Sequence, residues 1–199
     1  MVKFLLLQLK RWVDNPQPSR AEVSDVANAV IQGADVVMLS DESATGKYPE
    51  ETVKAMRDVI MYTQEHAAVS PIDDIVERGN DEALNAISLA AVELAEQINA
   101  DALIVETKSG QTAATVAANR PALPIYAVTS SNRVAQQLGL NYATRSFVRP
   151  DGEFAGLELA KELKANQTFG AKEKVTVVIV SGRQPGLVGG TDTIRVRTI

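Results

Sequence analysis

The sequence predicts an α/β protein built around a mostly parallel sheet, and three observations carry that expectation. Short apolar, β-branched runs at 35–39 (DVVML), 101–106 (DALIVE) and 174–181 (KVTVVIVS) have the length and texture of buried parallel strands. Segments with apolar residues at helical spacing lie between the runs, and strands separated by helices imply a sheet covered on both faces. The last two runs, 174–181 and 191–197, are joined only by 182–190, too short for a parallel crossover, so the final strand is expected to run antiparallel.

Taken in order, the first block covers residues 1–66. Ser19 and Glu22 have capping-box spacing, so each can satisfy a backbone N–H at a helix start. Val23, Val26, Ala27, Val30 and Ile31 then mark one apolar face. Gly33 ends that helix, the strand at 35–39 follows as one buried on both faces, and a polar loop, 40–47 (SDESATGK), opens the next helix. That helix is expected from Pro49 to His66. Pro49 suits the first helical position, Glu50 and Glu51 sit near the positive end of the dipole, and Val53, Met56, Ile60 and Thr63 recur on one face. Residues 67–79 lose periodicity around Pro71 and read as a linker.

The second block, 80–199, alternates helix and strand. An Ala-rich helix over 80–99 directs Leu84, Ile87, Ala91, Leu94 and Ile98 inward. Strand 101–106, helix 111–119, strand 123–128, helix 131–138, strand 143–148 and helix 153–165 follow, before the two closing strands. The expected sheet therefore has five strands in a three-layer α/β/α arrangement.

Composition removes several function classes. With 20 basic against 25 acidic residues, nothing points to a nucleic-acid partner or an anionic membrane surface. No apolar run reaches the roughly 18 residues that span a bilayer. The opening MVKFLLLQLKRW is followed by no small-residue cleavage site, so a signal peptide is not expected. The absence of cysteine excludes disulfides and thiol catalysis, and fits a reducing, cytoplasmic setting. With His66 as the only histidine, an ordinary zinc site cannot be built.

The best local site is the loop Thr107, Lys108, Ser109, Gly110, Gln111 and Thr112. It leaves the carboxyl end of a buried strand and enters a helix, so free backbone N–H groups and the helix dipole converge on one volume. Hydroxyls from Thr107, Ser109 and Thr112 add donors, Gly110 permits close approach, and Lys108 adds charge. A phosphate fits that chemistry; equally, Ser109 or Thr112 can simply cap the helix. A second candidate is the closing loop 181–191 (SGRQPGLVGGT), where four glycines and a proline make a tight connection between strands.

Other features carry less. Residues 40–47 invite a P-loop reading that fails, because Asp41 and Tyr48 stand where a Walker A needs Gly and Ser or Thr. Arg20 lies in the first turn of its helix, an unfavourable place for a cation. Asp73/Asp74 and Asp101/Glu106 lack the pairing of a catalytic dyad and read as linker and strand-edge charges.

Residues 18–49, PSRAEVSDVANAVIQGADVVMLSDESATGKYP, closely resemble the last turn of the catalytic barrel in pyruvate kinases. That family carries a P-T/S-R-A-E-V-S-D-V-A-N-A-V helix and then a G-A-D strand ending in L-S-x-E. The order of elements in the second block is similar to the family's carboxy-terminal domain, so the resemblance runs from about residue 13 to 199. It implies that 1–66 is a remnant of a (β/α)8 barrel, 67–79 a linker, and 80–199 an effector-binding and oligomerisation domain. The departure is at the front, where LLLQLKRW replaces an A-T-Q-M-L-E-S-M run. The barrel's metal-ligating carboxylates, catalytic lysine and phosphate-binding arginine correspond to sequence ahead of Met1. The chain is accordingly expected to be the last third of an enzyme and inactive alone.

The resemblance also implies site roles. The parent enzyme transfers a phosphoryl group from phosphoenolpyruvate to ADP with Mg²⁺ and usually K⁺, neither expected to bind this chain. Residues 107–112 resemble the T-K-S-G-x-S/T loop that cradles a sugar-phosphate effector. Arg183, Gln184, Pro185 and Gly186 match the effector-side loop, with Gln184 at a frequent Arg, and Asn166 stands at another frequent Arg. Loss of two guanidiniums disfavours a bisphosphate, leaving a monophosphate, a nucleotide or no effector. Ser40 and Glu42 match the active-site mouth, and Arg20 a subunit contact in a homo-oligomer, commonly a tetramer. The alternatives are a free-standing sugar-phosphate or nucleotide-binding module and a purely structural oligomerisation domain.

Overall fold

A computed structural model describes residues 3–7, 9–67, 81–182 and 189–199. The chain divides into two compact units, Met1–Ile72 and Asp73–Ile199. Residues 68–79 of the expected linker, and Arg183, Gln184, Pro185 and Gly186, lie outside the described residues.

The first unit contains β1 (Phe4–Leu6), a 3-10 turn (Lys10–Val13), α1 (Arg20–Ile31), β2 (Val36–Met38), α2 (Asp41–Ala44) and α3 (Pro49–His66). The Ser19–Glu22 capping box forms in full at the start of α1, and Gly33 adopts φ 72°, the left-handed conformation that stops the helix. Strand β1 was not anticipated; it pairs in parallel with β2, Leu5 opposite Val37.

Three expectations are corrected in this unit. The strand at 36–38 is not buried on both faces. Val37 and Leu39 pack onto a cluster of Leu7, Leu9, Trp12 and Val26, whereas Met38 on the opposite face is 45% exposed. A two-stranded sheet with helices over one face cannot cover the other. On α3, Val53 is 50% exposed; the inward stripe is Thr52, Ala55, Met56, Val59, Ile60 and Thr63, and Val53 lies about 100° off it. The polar loop at 40–47 contains the single helical turn α2.

The second unit is a three-layer α/β/α domain. Its elements are α4 (Glu82–Gln97), β3 (Ala102–Glu106), α5 (Gln111–Ala118), β4 (Ile125–Thr129), α6 (Asn132–Leu138), β5 (Thr144–Val148), α7 (Ala155–Ala165), β6 (Thr176–Gly182) and β7 (Thr191–Thr198). The sheet order is β5-β4-β3-β6-β7, parallel throughout except for the antiparallel β6–β7 pair. Strand residues alternate between two cores, as a period of two requires. Leu103, Val105, Ala127 and Val180 meet α4, α5 and α6, while Ala102, Ile104, Val128 and Ile179 meet α7. Ile98 does not point inward: it follows the end of α4 and is 38% exposed.

Strand order decides where a ligand can sit. From β3 the chain steps outward to β4 and β5, then returns to β6 on the other side of β3. The connections leaving β3 and entering β6 pass over opposite faces, because α5 belongs to one core and α7 to the other. Such a switch point leaves a crevice beyond the carboxyl ends of the strands.

Candidate functional site

A cavity of about 60 Å³ occupies that crevice. Its walls come from the carboxyl ends of four strands and the start of a fifth: Glu106 to Ser109 at the end of β3, Val128 to Ser130 at the end of β4, Arg149 to Gly152 after β5, and Gly182 with Gly189 to Thr191 where β6 ends and β7 begins. At the base of the β6–β7 loop the backbone closes tightly, since a Cβ on Gly182 would lie 2.3 Å from the Gly190 carbonyl oxygen.

Residues 107–112 are brought together around the start of α5. Gly110 is the N-cap, with φ 90°, and a side chain there would be strained as well as 3.2 Å from Val134 Cγ1. The Gly110 N–H donates to Thr107 Oγ1 at 3.0 Å, and the Gln111 N–H to Ser109 Oγ at 3.4 Å. The loop thus satisfies part of its own donor set, and what faces a ligand is chiefly hydroxyl and ammonium chemistry. Thr112 Oγ1 lies 2.8 Å from Thr191 Oγ1, joining α5 to the first residue of β7.

Lys108 supplies the charge expected of it, but it has partners. Its Nζ donates to Ser130 Oγ at 2.8 Å and forms an ion pair with Asp151. The hydrogen bond from Lys108, reinforced by Ser130 and opposed by slight burial, holds the Asp151 carboxyl below its ordinary value. Arg149, a second cation on the wall, pairs with Glu162.

Glu106 is the unexpected member. Read from sequence as a strand-edge charge, it is half-buried on the cavity wall and accepts the Gly156 N–H at 2.8 Å. Burial raises its carboxyl above the ordinary range, against the Gly156 hydrogen bond and the charge of Arg195. A Cβ on Gly156 would lie 2.6 Å from Glu106 Oε1, so only glycine admits this approach.

Other expected site residues lie elsewhere. In the first unit, Ser40 is exposed, whereas Glu42 is 2% exposed and accepts the N–H groups of Leu9 at 2.5 Å and Ser40 at 2.7 Å. Arg20 is exposed in the first turn of α1. Asn166 caps the carboxyl end of α7 and is not among the lining residues. Sequence reasoning missed Ser130, Arg149 and Asp151. The available signal was positional: each lies within three residues of the end of a predicted parallel strand, and PDG at 150–152 is a turn signature.

Comparison with known proteins bears on both units. The family model described as pyruvate kinase, alpha/beta domain, matches residues 85–197, and that described as pyruvate kinase, barrel domain, matches residues 7–53. The chain belongs to the pyruvate kinase family. The barrel match starts ahead of residue 13, where the resemblance was expected to begin, and so takes in the 3-10 turn. The pyruvate kinase of Mycobacterium intracellulare is 37% identical over 192 residues, covering 96% of this chain and 40% of that protein. That of Agrobacterium vitis is 37% identical over 190 residues, with 94% and 40% covered. The Borreliella burgdorferi pyruvate kinase is 33% identical over 197 residues, with 96% and 41% covered. The chain therefore spans about 40% of the length of these relatives, as a carboxy-terminal part of the pyruvate kinase fold. Among the described residues, no group of three or more His, Asp or Glu side chains could hold a metal ion, and no helix is long and apolar enough to cross a membrane.

Proposed function

We propose that this chain is the regulatory, carboxy-terminal part of a pyruvate kinase and has no phosphoryl-transfer activity of its own. In the parent reaction, phosphoenolpyruvate and ADP become pyruvate and ATP, with Mg²⁺ and K⁺ bound by residues of the barrel. Phosphoryl transfer relies on metal ions and cationic clamps that hold the transferring group in line. No residue matched to those roles occurs in the chain, so the purified protein gives no turnover in a coupled lactate dehydrogenase assay. Measurable turnover refutes this.

The chain's own role is to bind a phosphorylated small molecule at 107–112, and the cavity at the sheet's switch point is the observation that supports it. Thr107, Lys108 and Ser109 line that cavity together with Ser130 and Thr191, a set of hydroxyl and ammonium donors suited to phosphate oxygens. Arg183 and Gln184 follow β6 and belong to the proposed effector loop. Titration calorimetry with inorganic phosphate and with a hexose monophosphate tests the reading. Saturable binding that weakens about tenfold in Lys108→Met supports it, on the scale of a charge-assisted hydrogen bond; no saturable heat with either ligand ends it. Self-association is proposed alongside, supported by exposed Met61 (55%) and Tyr62 (65%) on α3; a monodisperse monomer in light scattering contradicts it.

A further inference from the structure

The ammonium offered to a ligand phosphate is already engaged by an acid of the same chain. Lys108 comes from the loop after β3, Ser130 from the loop after β4 and Asp151 from the loop after β5, and all three line the cavity. Lys108 Nζ holds Ser130 Oγ at 2.8 Å and the Asp151 carboxylate together. The ion pair is not sealed: the side chains of Lys108 and Asp151 are 35% and 39% exposed, so a solute can reach it. The other wall cation, Arg149, has Glu162 as its counter-charge. Glu106 adds another carboxyl group to the same wall, fixed by the Gly156 N–H. The described cavity thus matches each of its cations with an internal acid before any ligand arrives.

We propose that Asp151 is a built-in competitor at the anion site, occupying on Lys108 the position that a ligand phosphoryl oxygen takes. The proposal rests on the phosphate-binding reading above and adds how that binding is controlled. Binding is then an exchange: the phosphate oxygen replaces the carboxylate on Nζ, and Asp151 turns to solvent. Ser130 keeps its place, because a hydroxyl can accept from Lys108 and donate to phosphate at once. The displaced carboxylate stays close to the incoming anion, so the cost grows with ligand charge. Asp151 therefore sets both affinity and charge class, favouring one phosphoryl group over two.

The test uses the full chain in five forms: wild type, Asp151→Asn, Asp151→Ala, Lys108→Met and the Asp151→Asn/Lys108→Met double variant. Each is titrated with inorganic phosphate at one pH and ionic strength. Removing an exposed competing charge is expected to tighten phosphate binding about three- to tenfold in Asp151→Asn, with no gain when Lys108 is already Met. Asp151→Ala must change affinity in the same direction, and an unchanged unfolding midpoint for each variant excludes a folding artefact. Equal affinity in wild type and Asp151→Asn, with Lys108→Met still weakening phosphate, overturns the exchange but leaves the binding reading intact. A gain of the same size in the Lys108→Met background also overturns it, since the effect is then general charge removal. Absence of phosphate binding in all five forms removes both readings.

Discussion

Glu42 shows how one buried charge can hold a turn in place. Burial alone pushes its carboxyl up, but N–H donors from Ser40, Glu42 itself and Leu9 outweigh burial and bring it below its ordinary value. The Leu9 and Ser40 N–H groups use different oxygens of the carboxylate, and a neutral amide replaces one of those acceptors with an NH2 donor. Glu22 works the same way from the other side, accepting the Arg11 N–H at 2.8 Å while closing the capping box. Directly after these two anchored residues, Leu9 and Arg11, comes Trp12, fully buried and the only tryptophan of the chain. Glu42→Gln is therefore expected to destabilise the first unit by about 1–3 kcal/mol, the usual cost of a buried donor left unmatched. Trp12 fluorescence in a urea titration measures it. The pH dependence follows from the sign of the shift. A folded-state value below the unfolded one gives stability that is present above the unfolded value and is lost as pH falls through the folded one. Acid should thus release Trp12 at pH values below the ordinary carboxylate range, and Glu42→Gln should flatten that part of the profile.

At the scale of elements, caps and close approaches are where single atoms decide stability. Ser19→Ala removes the side-chain acceptor for the Glu22 N–H at the start of α1, and is expected to cost about 1 kcal/mol in the same fluorescence titration. Gly156→Ala puts a methyl group 2.6 Å from Glu106 Oε1 and 3.1 Å from Ile104 Cγ2. The resulting overpacking at the start of α7 should cost roughly 1–3 kcal/mol, read from faster hydrogen exchange at β3 and β6 amides. The cap at Ser19 was legible in the sequence because it depends on residues three apart. So were the central strands β3, β4 and β6, whose apolar runs are long enough to mark both faces, and the antiparallel last strand, which loop length alone requires. The Glu106–Gly156 contact was not legible, because its partners are 50 residues apart and meet only after β3 and α7 are docked. Lys108 illustrates the same division. Its place in a polar loop entering a helix was visible locally, but its pairing with Asp151, 43 residues on, depends on β4 lying beside β3 and β5 beside β4. Val53 and Met38 were misread because apolar character fixes what a residue prefers, not whether a neighbour is there to cover it.

At the scale of the whole molecule, each unit has buried hydrophobic clusters of its own among the described residues. Leu7, Leu9, Trp12 and Val26 form the centre of the first unit, and the clusters on either face of the five-stranded sheet belong to the second. Cooperative unfolding follows shared burial, so a unit with its own core melts as its own transition unless something else couples it. Ile104, fully buried against α7, offers a clean perturbation of one side. Ile104→Ala leaves a cavity in a packed core and should cost about 2–5 kcal/mol of second-unit stability. Hydrogen exchange at β3, β4 and β6 amides reads that loss directly, because these strands open only when their core does. The Trp12 fluorescence midpoint should stay where it is in wild type. Glu42→Gln should do the converse, moving the Trp12 midpoint and leaving exchange in the sheet unchanged. If either substitution moves both probes together, the two units unfold as one cooperative unit, and the ligand binding proposed at the sheet has a thermodynamic route to the barrel segment. If the probes move separately, any signal passing from the Lys108–Asp151 site to a barrel needs contacts beyond the two cores of this chain.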